Sequence, residues 1–289
     1  MKKLFTLLAL TISFGINAQI STNATINSGA NSSAIGVETV ASGTKSVAIG
    51  YDSYAQGDYS LAVGGLNQAY GEISVVLGNS SLAVGRSSMA IGMNVEALAD
   101  LSTAMGYGTI TNDYSSLVIG RFNIGEFLDD FDSKPIKATT YSPENAAFTI
   151  GNGTGYNDRS DAFKVLFNGN TMISNDLTVY GEIITSSDAR LKTNIVSLGS
   201  TLSKLLLIDG KSYTMIKDGK QKIGLLAQEI KEVFPELVTE DDNEMLAVNY
   251  QGLVPVLINA LKEQESKFEK QQAEIEELKE MVNRLISSK

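Results

Sequence analysis

The sequence predicts a mainly β protein with an α-helical C-terminus, and three observations predict it. A motif repeats every fourteen residues in the first part of the chain, the composition changes near Ser186, and a heptad run occupies about residues 254–286. We therefore expect a β-roll head over residues 19–125 and a connector with a β-stem over 126–185. An α+β domain over 186–289 should follow and end in a coiled coil.

Composition narrows the functions open to this chain. Its formal net charge is −10 and its pI is near 4.7, whereas a nucleic-acid-binding protein needs a basic face. It contains no Cys, His or Trp, which excludes a Ser-His-Asp triad, a Cys nucleophile and a Cys/His zinc site. Oxygen-rich turns near Asn152, Asp158 and Asp161 suit calcium, but such turns commonly form without a metal. We predict neither a metal nor a cofactor.

The first residues, MKKLFTLLALTISFGINAQ, have the pattern of a bacterial export signal. Lys2 and Lys3 form a positive start, residues 4–16 form a short apolar core, and the small Ala18 suits a cleavage site. A membrane anchor is the alternative, but the apolar run is too short to span a bilayer. We expect residues 1–18 to be removed. The mature protein, with no other membrane-spanning segment, should be secreted or lie at the bacterial cell surface.

The repeat is marked by two columns of glycine that lie half a period apart. Each glycine of the first column follows a serine by four residues, a small or β-branched residue by two and an apolar residue by one. Fixed-period self-similarity is the signature of a solenoid, and the alternation within the motif has the period of a strand. Each period should hold two short strands and two glycine-marked corners. The first column is Gly36, Gly50, Gly64, Gly78, Gly92, Gly106 and Gly120, and the second is Gly29, Gly43, Gly57, Gly71 and Gly85.

Strand alternation divides the motif SVAIG between the inside and the outside of the coil. Ser46, Ala48 and Gly50 share one face, and Val47 and Ile49 share the other. The interior of so small a coil fits only Ser, Ala and Gly, so the aliphatic face must be buried elsewhere. Its simplest partner is an identical coil in a symmetric oligomer. A disordered Gly/Ser-rich tract is the alternative, but disorder requires no fixed register.

These columns resemble the head repeats of bacterial trimeric autotransporter adhesins. The similarity covers residues 27–125. In that family the repeats form left-handed parallel β-rolls that pack as trimers. The resemblance therefore implies that the chain's main partner is itself, in a homotrimer. A host or surface ligand is compatible with such a head, and the sequence assigns no residue to it.

The middle of the chain, residues 126–185, loses the fourteen-residue period. Its first part, 126–145, contains acidic residues and two prolines and is predicted to be a loop or hinge. Short strands separated by Gly-Asn turns should follow, with alternating apolar residues that include Leu177 and Val179. The segment is similar to the β-structured stems that precede the C-terminal domain of phage tail fibres.

The C-terminal third contains two helical patterns and the heptad run. Residues 224–237 predict a helix that stops before Pro235, and residues 249–264 predict a second helix that starts near Tyr250. The charged flanks of the heptad run are typical of an exposed multi-helix coil; the alternative is a single helix packed on its own domain. Two successive Gln layers should lower stability but fix register. The a positions are Val254, Leu261, Phe268, Ile275 and Val282, and the d positions are Leu257, Gln264, Gln271, Leu278 and Leu285.

A Ser-Asp-x-Arg-x-Lys motif precedes the two helical patterns. Motif and patterns in this order resemble the intramolecular chaperone domain of phage tailspikes and endosialidases, the S74 peptidase family, over residues 185–289. In that family the domain trimerises, drives folding of the fibre ahead of it, and then cuts itself off before the motif serine. The resemblance implies cleavage between Ser186 and Ser187. The matching residues are Ser187, Asp188, Arg190, Leu191 and Lys192, then Gly224, Ala227, Gln228, Glu229 and Pro235, and finally Tyr250, Leu253, Pro255 and Glu263.

Cleavage by a serine requires a base, because its hydroxyl is a weak nucleophile at neutral pH. With no His in the chain, a lysine withdrawn from water is the natural candidate, since burial favours the neutral amine. The five-residue spacing of Ser187 and Lys192 does not identify such a pair by itself. The resemblance assigns Ser187 as nucleophile and Lys192 as base. We expect Asp188 and Arg190 to hold the loop by pairing with each other or with neighbours.

These features predict an exported, trimeric, adhesin-like fibre protein. Its C-terminal domain should assemble the trimer and cleave itself before Ser187 in a single turnover, as an autoproteolytic serine peptidase. The alternative is a structural adhesin that the same domain caps without cleavage. A glycan hydrolase is a third hypothesis, but it needs paired carboxylates in a groove, and the head repeats carry few inward acids. A C-terminal clamp would shorten the slow search for register in a three-chain β structure.

Overall fold

The computed structural model describes residues 23–125, 138–241 and 244–287. The predicted export signal at 1–18 lies outside these residues, and so does most of the predicted loop at 126–145. The chain divides into two units between Ile183 and Ile184. In the part of the chain that is described, no helix combines the length and the apolar composition needed to cross a membrane.

The first unit begins with fourteen strands of two alternating lengths. Odd-numbered strands have two residues and even-numbered strands have five, so each period supplies one of each kind. Strands of one kind stack in parallel with a register of fourteen residues, which places Ala48 beside Ala34 and Ala62. The predicted solenoid is therefore confirmed, with seven turns. The strands are β1 (Ile26–Asn27), β2 (Ser33–Val37), β3 (Val40–Ala41), β4 (Val47–Tyr51), β5 (Tyr54–Ala55), β6 (Leu61–Gly65), β7 (Gln68–Ala69), β8 (Val75–Asn79), β9 (Leu82–Ala83), β10 (Met89–Met93), β11 (Glu96–Ala97), β12 (Thr103–Tyr107), β13 (Ile110–Thr111) and β14 (Leu117–Arg121).

The interior of the solenoid is built from small side chains, as the alternation predicts. Ser46, Ala48 and Ala55 are fully buried, whereas Val47 and Ile49 point outward and remain partly exposed. The buried serine is satisfied locally, because Ser46 Oγ donates to the carbonyl oxygen of Gly43 at 2.7 Å. Ser32, Ser88, Ser102 and Ser116 make the same contact with the residue three positions earlier, whereas Ser60 Oγ and Ser74 Oγ are buried without a described partner. The contact therefore accounts for serine in most turns of this column.

The first glycine column lies inside the longer strands and not at corners. Gly50 is the fourth residue of β4 and has a φ of +127°. A Cβ at this position would lie 1.9 Å from the carbonyl oxygen of Gly64 in the next turn. Glycine is therefore required here by the close approach of successive turns and by the left-handed backbone. The second column, which includes Gly43, lies in the turns that precede the longer strands.

We expect Gly78→Ala to destabilise the first unit strongly. Gly78 has a φ of +144°, and an added Cβ would lie 1.8 Å from the carbonyl oxygen of Gly92. Backbone strain and steric overlap together should cost about 3 kcal/mol or more, which would lower the midpoint of chemical or thermal unfolding. Gly155→Ala is the control, because no atom lies within 4 Å of its Cβ position. Equal effects of the two substitutions would contradict the role of close turn packing.

The sheet of longer strands continues beyond the fourteen-residue repeat. Strand β15 (Ala146–Asn152) pairs in parallel with β14, so that Gly151 lies beside Gly120. Thr149 is buried at the inward position that alanine occupies in most turns. Strands β16 (Asp161–Leu166) and β17 (Thr171–Ile173) then add in antiparallel orientation. The solenoid sheet thus continues beyond the predicted boundary at residue 125. The sequence did not predict this continuation, because the fourteen-residue period ends there.

No strand forms at Leu177 or Val179, contrary to the prediction. Strand β17 ends at Ile173, and residues 174–200 contain no other strand. These residues are exposed, and Tyr180 and Ile184 are almost fully so. The physical reason is that an extended segment becomes a strand only when another strand satisfies its backbone groups, and this segment has no such neighbour in the described chain.

The second unit combines helices with two antiparallel strand pairs around a small apolar core. The core consists of Ile230, Phe234, Leu237, Leu253 and Val256. With this unit, the predicted class of a mainly β chain ending in helix is confirmed. Its elements are α1 (Leu202–Leu205), β18 (Lys211–Thr214), β19 (Gln221–Gly224), α2 (Ala227–Val233), β20 (Val238–Glu240), β21 (Leu246–Val248) and α3 (Leu253–Ser287), with short 3-10 helices at Ala189–Leu191 and Pro235–Leu237.

The helices differ from their predicted bounds in two respects. Helix α2 ends before Pro235 as predicted, but it begins at Ala227 because Gly224 belongs to β19. The second predicted helix and the heptad run form one continuous helix of 35 residues, α3, which begins at Leu253 and not near Tyr250. The two predicted patterns overlap because the first turns of α3 carry both the buried residues Leu253, Val256 and Ala260 and the start of the exposed heptad at Val254.

Helix α3 presents two different apolar faces. Leu253, Val256 and Ala260 are buried in the second unit, whereas the heptad positions are exposed. Leu261 is 71% exposed and Phe268 is 58% exposed, and every described residue from position 264 onward is exposed. Packing on its own domain therefore accounts for the start of the helix and leaves the heptad seam open along the rest.

Candidate functional site

The Ser-Asp-x-Arg-x-Lys motif folds around the 3-10 helix at Ala189–Leu191. Asp188 caps this helix, since its carboxylate accepts a hydrogen bond from the backbone N–H of Arg190 at 2.8 Å. The Arg190 guanidinium also binds the carboxylate, with Nη2 2.7 Å from Oδ2 and Nε 3.0 Å from Oδ1. These hydrogen bonds from Arg190 hold the pKa of Asp188 below its usual value. Asp188 and Arg190 therefore pair with each other and fix the turn.

This turn brings Ser187 and Lys192 into contact. Lys192 Nζ lies 2.7 Å from Ser187 Oγ and 3.1 Å from the carbonyl oxygen of Ser187. The backbone N–H of Lys192 donates to the carbonyl oxygen of Ala189 at 3.1 Å and closes the turn. A serine hydroxyl and a lysine amine at this distance are within reach of direct proton transfer. Ser186, at the other end of the bond considered for cleavage, directly precedes the pair.

The surroundings of this pair are open to solvent. Ser187 and Lys192 are both exposed, and so are the flanking residues from 174 to 200. Water favours the charged form of an exposed lysine, and a charged amine cannot accept a proton. The single chain thus supplies the contact between the two groups without the desolvation that a basic lysine requires.

Hydrogen bonds hold the chain to residues in or just before α3 on both sides of the Ser187–Lys192 pair. Before it, Thr185 Oγ1 donates to Gln251 Oε1 at 3.1 Å. After it, Ser200 Oγ donates to Glu263 Oε2 at 2.7 Å, and the backbone N–H groups at the start of α1 donate to the same carboxylate. Hydrogen bonds from Ser200 and Thr201 lower the pKa of Glu263. Gln251 and Glu263 therefore restrain both ends of the exposed segment that contains the motif.

Three further motif residues have structural roles that the sequence pattern did not reveal. The Tyr250 hydroxyl accepts a hydrogen bond from the backbone N–H of Leu225 at 2.9 Å. A Cβ at Gly224 would lie 2.8 Å from that hydroxyl oxygen, so glycine leaves room for it. Glu229 pairs with Lys211 at 3.1 Å. These contacts join residues far apart in sequence, and no local spacing announces them.

The oxygen-rich turns considered for calcium have internal partners. Asp161 pairs with Lys164 at 2.7 Å, Asp158 accepts a hydrogen bond from Thr154, and Asn152 accepts one from Ser160. Among the residues that the structure describes, no three His, Cys, Asp or Glu side chains are grouped so that they could hold a metal ion. The described contacts of these turns are those of ordinary polar loops.

Comparison with known protein families matches two parts of the chain. Residues 28–53, 41–67, 55–81 and 69–94 match the model of the YadA head domain repeat, and residues 187–239 match the Peptidase_S74 model, described as the chaperone of endosialidase. A curated relative is the long tail fiber protein Gp37 of Escherichia phage AR1, which is 34% identical over 96 residues. The match covers 30% of this chain and 9% of that fibre protein.

Both resemblances drawn from the sequence are confirmed, and in the predicted order. Head repeats of the YadA type come first, and a domain of the endosialidase-chaperone type follows. The second match begins at Ser187, the residue that contacts Lys192, and it ends at residue 239, before α3. The chain is therefore fibre-like and adhesin-like in its head and chaperone-like in its tail.

Proposed function

We propose that this chain is the subunit of an exported homotrimeric fibre, whose C-terminal domain gathers three chains and then cleaves itself before Ser187. The observation that carries the proposal is the exposed heptad seam of α3. A helix with an apolar seam open along most of its length requires partner helices. Three chains is the number implied by the families that the head and the tail resemble.

The apolar seam contributes far more to association than the charged pairs along the same helix. Burying a Leu, Ile, Val or Phe side chain fully contributes about 1.5–3 kcal/mol, and eight of the ten heptad positions are of these types. The pairs of Lys279 with Glu276 and of Arg284 with Glu280 are exposed, and such pairs contribute about 0–1 kcal/mol each. Association should therefore depend on the seam, and the Gln264 and Gln271 layers should select the register.

The head supplies a second self-associating surface. The outward residues of the longer strands, among them Ile49 and Ile91, form an aliphatic face that runs across all seven turns and stays partly exposed. A continuous apolar face of this kind on one chain is typical of an interface. We propose that three such faces meet around the fibre axis. The exposed residues 174–184 would then find their partner strands in the neighbouring chains and form the predicted β-stem.

The contact of Ser187 with Lys192 supports the cleavage step. The neutral Lys192 amine would take the hydroxyl proton as Ser187 Oγ attacks the carbonyl carbon of Ser186. The C–N bond then breaks, the Ser187 nitrogen receives that proton, and an ester joins Ser186 to Ser187 Oγ. Water hydrolyses the ester, which restores the hydroxyl and leaves a new carboxyl group on Ser186 and a free amine on Ser187. One water is consumed per bond. Each chain reacts once, because it contains a single bond between Ser186 and Ser187.

Assembly would supply what the exposed pair lacks. Packing of three chains around residues 174–200 would withdraw the Lys192 amine from water and favour its neutral form. Cleavage would then follow assembly, and removal of the tail would leave a head that is kinetically trapped. The same reasoning places the mature protein outside the cell or on its surface, after removal of residues 1–18.

Deletion of residues 268–289 should prevent assembly of the fibre. The deletion removes six of the ten heptad positions of a seam whose residues are exposed in the single chain, so we expect monomeric or insoluble protein in place of trimers. Light scattering of the purified protein measures the mass. As a control, replacing the exposed charged residues Glu269 and Lys270, which lie at the outer b and c positions of the heptad, by Ala should leave the trimer intact. Soluble, protease-resistant trimers from the deleted chain would show that the head assembles unaided.

Intact-mass measurement of the secreted, unaltered protein separates self-cleavage from permanent capping. Self-cleavage predicts two products, of which the smaller begins at Ser187. A permanent cap predicts one product that contains the whole mature chain. Because hydrolysis of one peptide bond forms the two products, their masses should add up to the mass of the mature chain plus one water.

A further inference from the structure

The two faces of the solenoid differ in their chemistry. On the longer strands the outward position before each glycine is apolar in every turn, as at Ile49, Val63 and Ile91. The outward position of the shorter strands changes its chemistry from turn to turn. It is held by Val40, Tyr54, Gln68, Leu82, Glu96 and Ile110. Leu82 and Ile110 of this column are buried in an apolar cluster, whereas Tyr54 and Gln68 are half-buried and are open to another role.

A groove of about 260 Å³ lies on the short-strand face and follows four successive turns. It belongs entirely to the first unit. Tyr156, from the loop between β15 and β16, contributes an aromatic ring close to Glu96. The polar and aromatic side chains along the groove are Asp52, Tyr54, Gln68, Ser80, Ser81, Asn94, Glu96 and Tyr156.

The groove offers hydrogen-bonding groups that include two carboxylates, Asp52 and Glu96. Tyr54 Oη donates to Asp52 Oδ1 at 2.7 Å, and this bond raises the pKa of Tyr54 and keeps its hydroxyl protonated. Gln68 Oε1 is shielded from water and accepts no hydrogen bond from any described residue. Glu96 is buried, but Arg159 lies close enough for the two charges to interact. Leaving that oxygen unpaired costs free energy, and a rotation of the Gln68 side chain toward the groove would let a ligand hydroxyl donate to it.

We infer that this groove binds a neutral sugar. Sugar hydroxyls would donate to the Gln68 amide and the Asp52 carboxylate, and the apolar face of a sugar ring would lie against the Tyr156 ring. The volume is close to the lower limit of about 300 Å³ for ligand pockets, which suits one or two sugar rings. The inference depends on neither the trimer nor the cleavage step.

The arrangement suits binding and not hydrolysis. Asp52 and Glu96 lie three turns apart, which corresponds to about 14 Å at the spacing of neighbouring strands. Glycosidases hold their two carboxylates about 5–9.5 Å apart across the bond that breaks. The carboxylates of the groove are therefore too far apart to act as such a pair. The ligand would be held without chemical change.

The test uses the full-length chain on an array of immobilised neutral oligosaccharides of glucose, galactose, mannose and N-acetylglucosamine, with acidic sugars and a lysine-rich peptide alongside. The strongest neutral sugar is then measured by calorimetry. Gln68→Leu removes the amide and keeps the volume, and Tyr156→Ala removes the ring, so each should weaken binding about tenfold or more. The matched controls Gln56→Leu and Tyr59→Ala change exposed residues outside the groove and should bind as the unaltered chain does.

An unchanged unfolding midpoint establishes that a variant is folded. If Tyr156→Ala disturbs the loop that contains it, Gln68→Leu alone tests the groove. Absence of binding to every neutral sugar overturns the inference. So does neutral-sugar binding that Gln68→Leu leaves unchanged, since the site would then lie elsewhere. Binding of the lysine-rich peptide alone, lost in Gln68→Leu, would assign the groove to a protein ligand and overturn it as well.

Discussion

Ser187→Ala should leave the chain at full length under conditions in which the unaltered chain separates into two fragments. The substitution removes the hydroxyl that would attack the Ser186 carbonyl, so no ester forms and the peptide bond persists. The rate should fall by a factor on the order of 10⁴ or more, which appears as complete loss of the fragment. Ser186→Ala is the matched control: it alters the neighbouring serine, keeps the contact of Ser187 with Lys192, and should still cleave.

Substitution of the proposed base tests the same step independently. Lys192→Ala removes the amine, and Lys192→Arg keeps a positive donor that does not lose its proton at neutral pH, so neither variant should cleave. Electrophoresis and N-terminal sequencing of the tail fragment give the result. Adding unaltered protein should not restore cleavage of Ser187→Ala if each chain cuts its own backbone. A fragment that begins elsewhere, or an unaltered trimer that stays intact after prolonged incubation, would leave only the capping role.

The double substitution Ile49→Asp and Ile91→Asp should separate the heads of the fibre. Both residues lie on the aliphatic face of the longer strands, so three chains would bring six carboxylates into an apolar contact. Burying an unpaired charge costs several kcal/mol, more than any single apolar contact returns. We expect the thermal unfolding midpoint of the head to fall by ten degrees or more, on the order of a few kcal/mol. Calorimetry and light scattering measure the two effects.

Ile73→Asp is the control for that experiment. Ile73 is also an exposed isoleucine, but it lies in a turn outside the aliphatic face, at a φ of +63° that aspartate tolerates better than isoleucine does. It should therefore leave mass and unfolding unchanged or slightly improved. If the double variant stays trimeric with an unaltered midpoint, the assignment of the interface to the longer strands is wrong.

The solenoid could be predicted closely because its contacts repeat. Every turn places the same kinds of residue opposite those of the next turn, so a register of fourteen positions in sequence is also the register in space. Strand β15 escaped prediction for the complementary reason. Gly151 follows Gly120 by 31 residues in place of the usual fourteen. The longer spacing breaks the sequence period, although the two glycines still pair in the sheet.

In the candidate site, too, the local contacts could be predicted from the sequence and the distant contacts could not. Ser187 and Lys192 are joined by one short turn, so a motif of six residues specifies their contact. The anchors at Gln251 and Glu263 reach the motif region across more than sixty residues, and only the fold brings them there. The strand predicted at Leu177 failed because period-two alternation indicates what a segment can form but not whether a partner strand is present.

The uniform stacking of the turns has a consequence for how such a fibre can evolve. Because each turn contacts only the turns on either side, a unit of fourteen residues can be gained or lost without creating a mismatch elsewhere. Each unit changes the length of the head by about 4.8 Å. Gain or loss of such units would then produce heads of graded length. Natural selection could adjust the length of the head while the second unit stays the same.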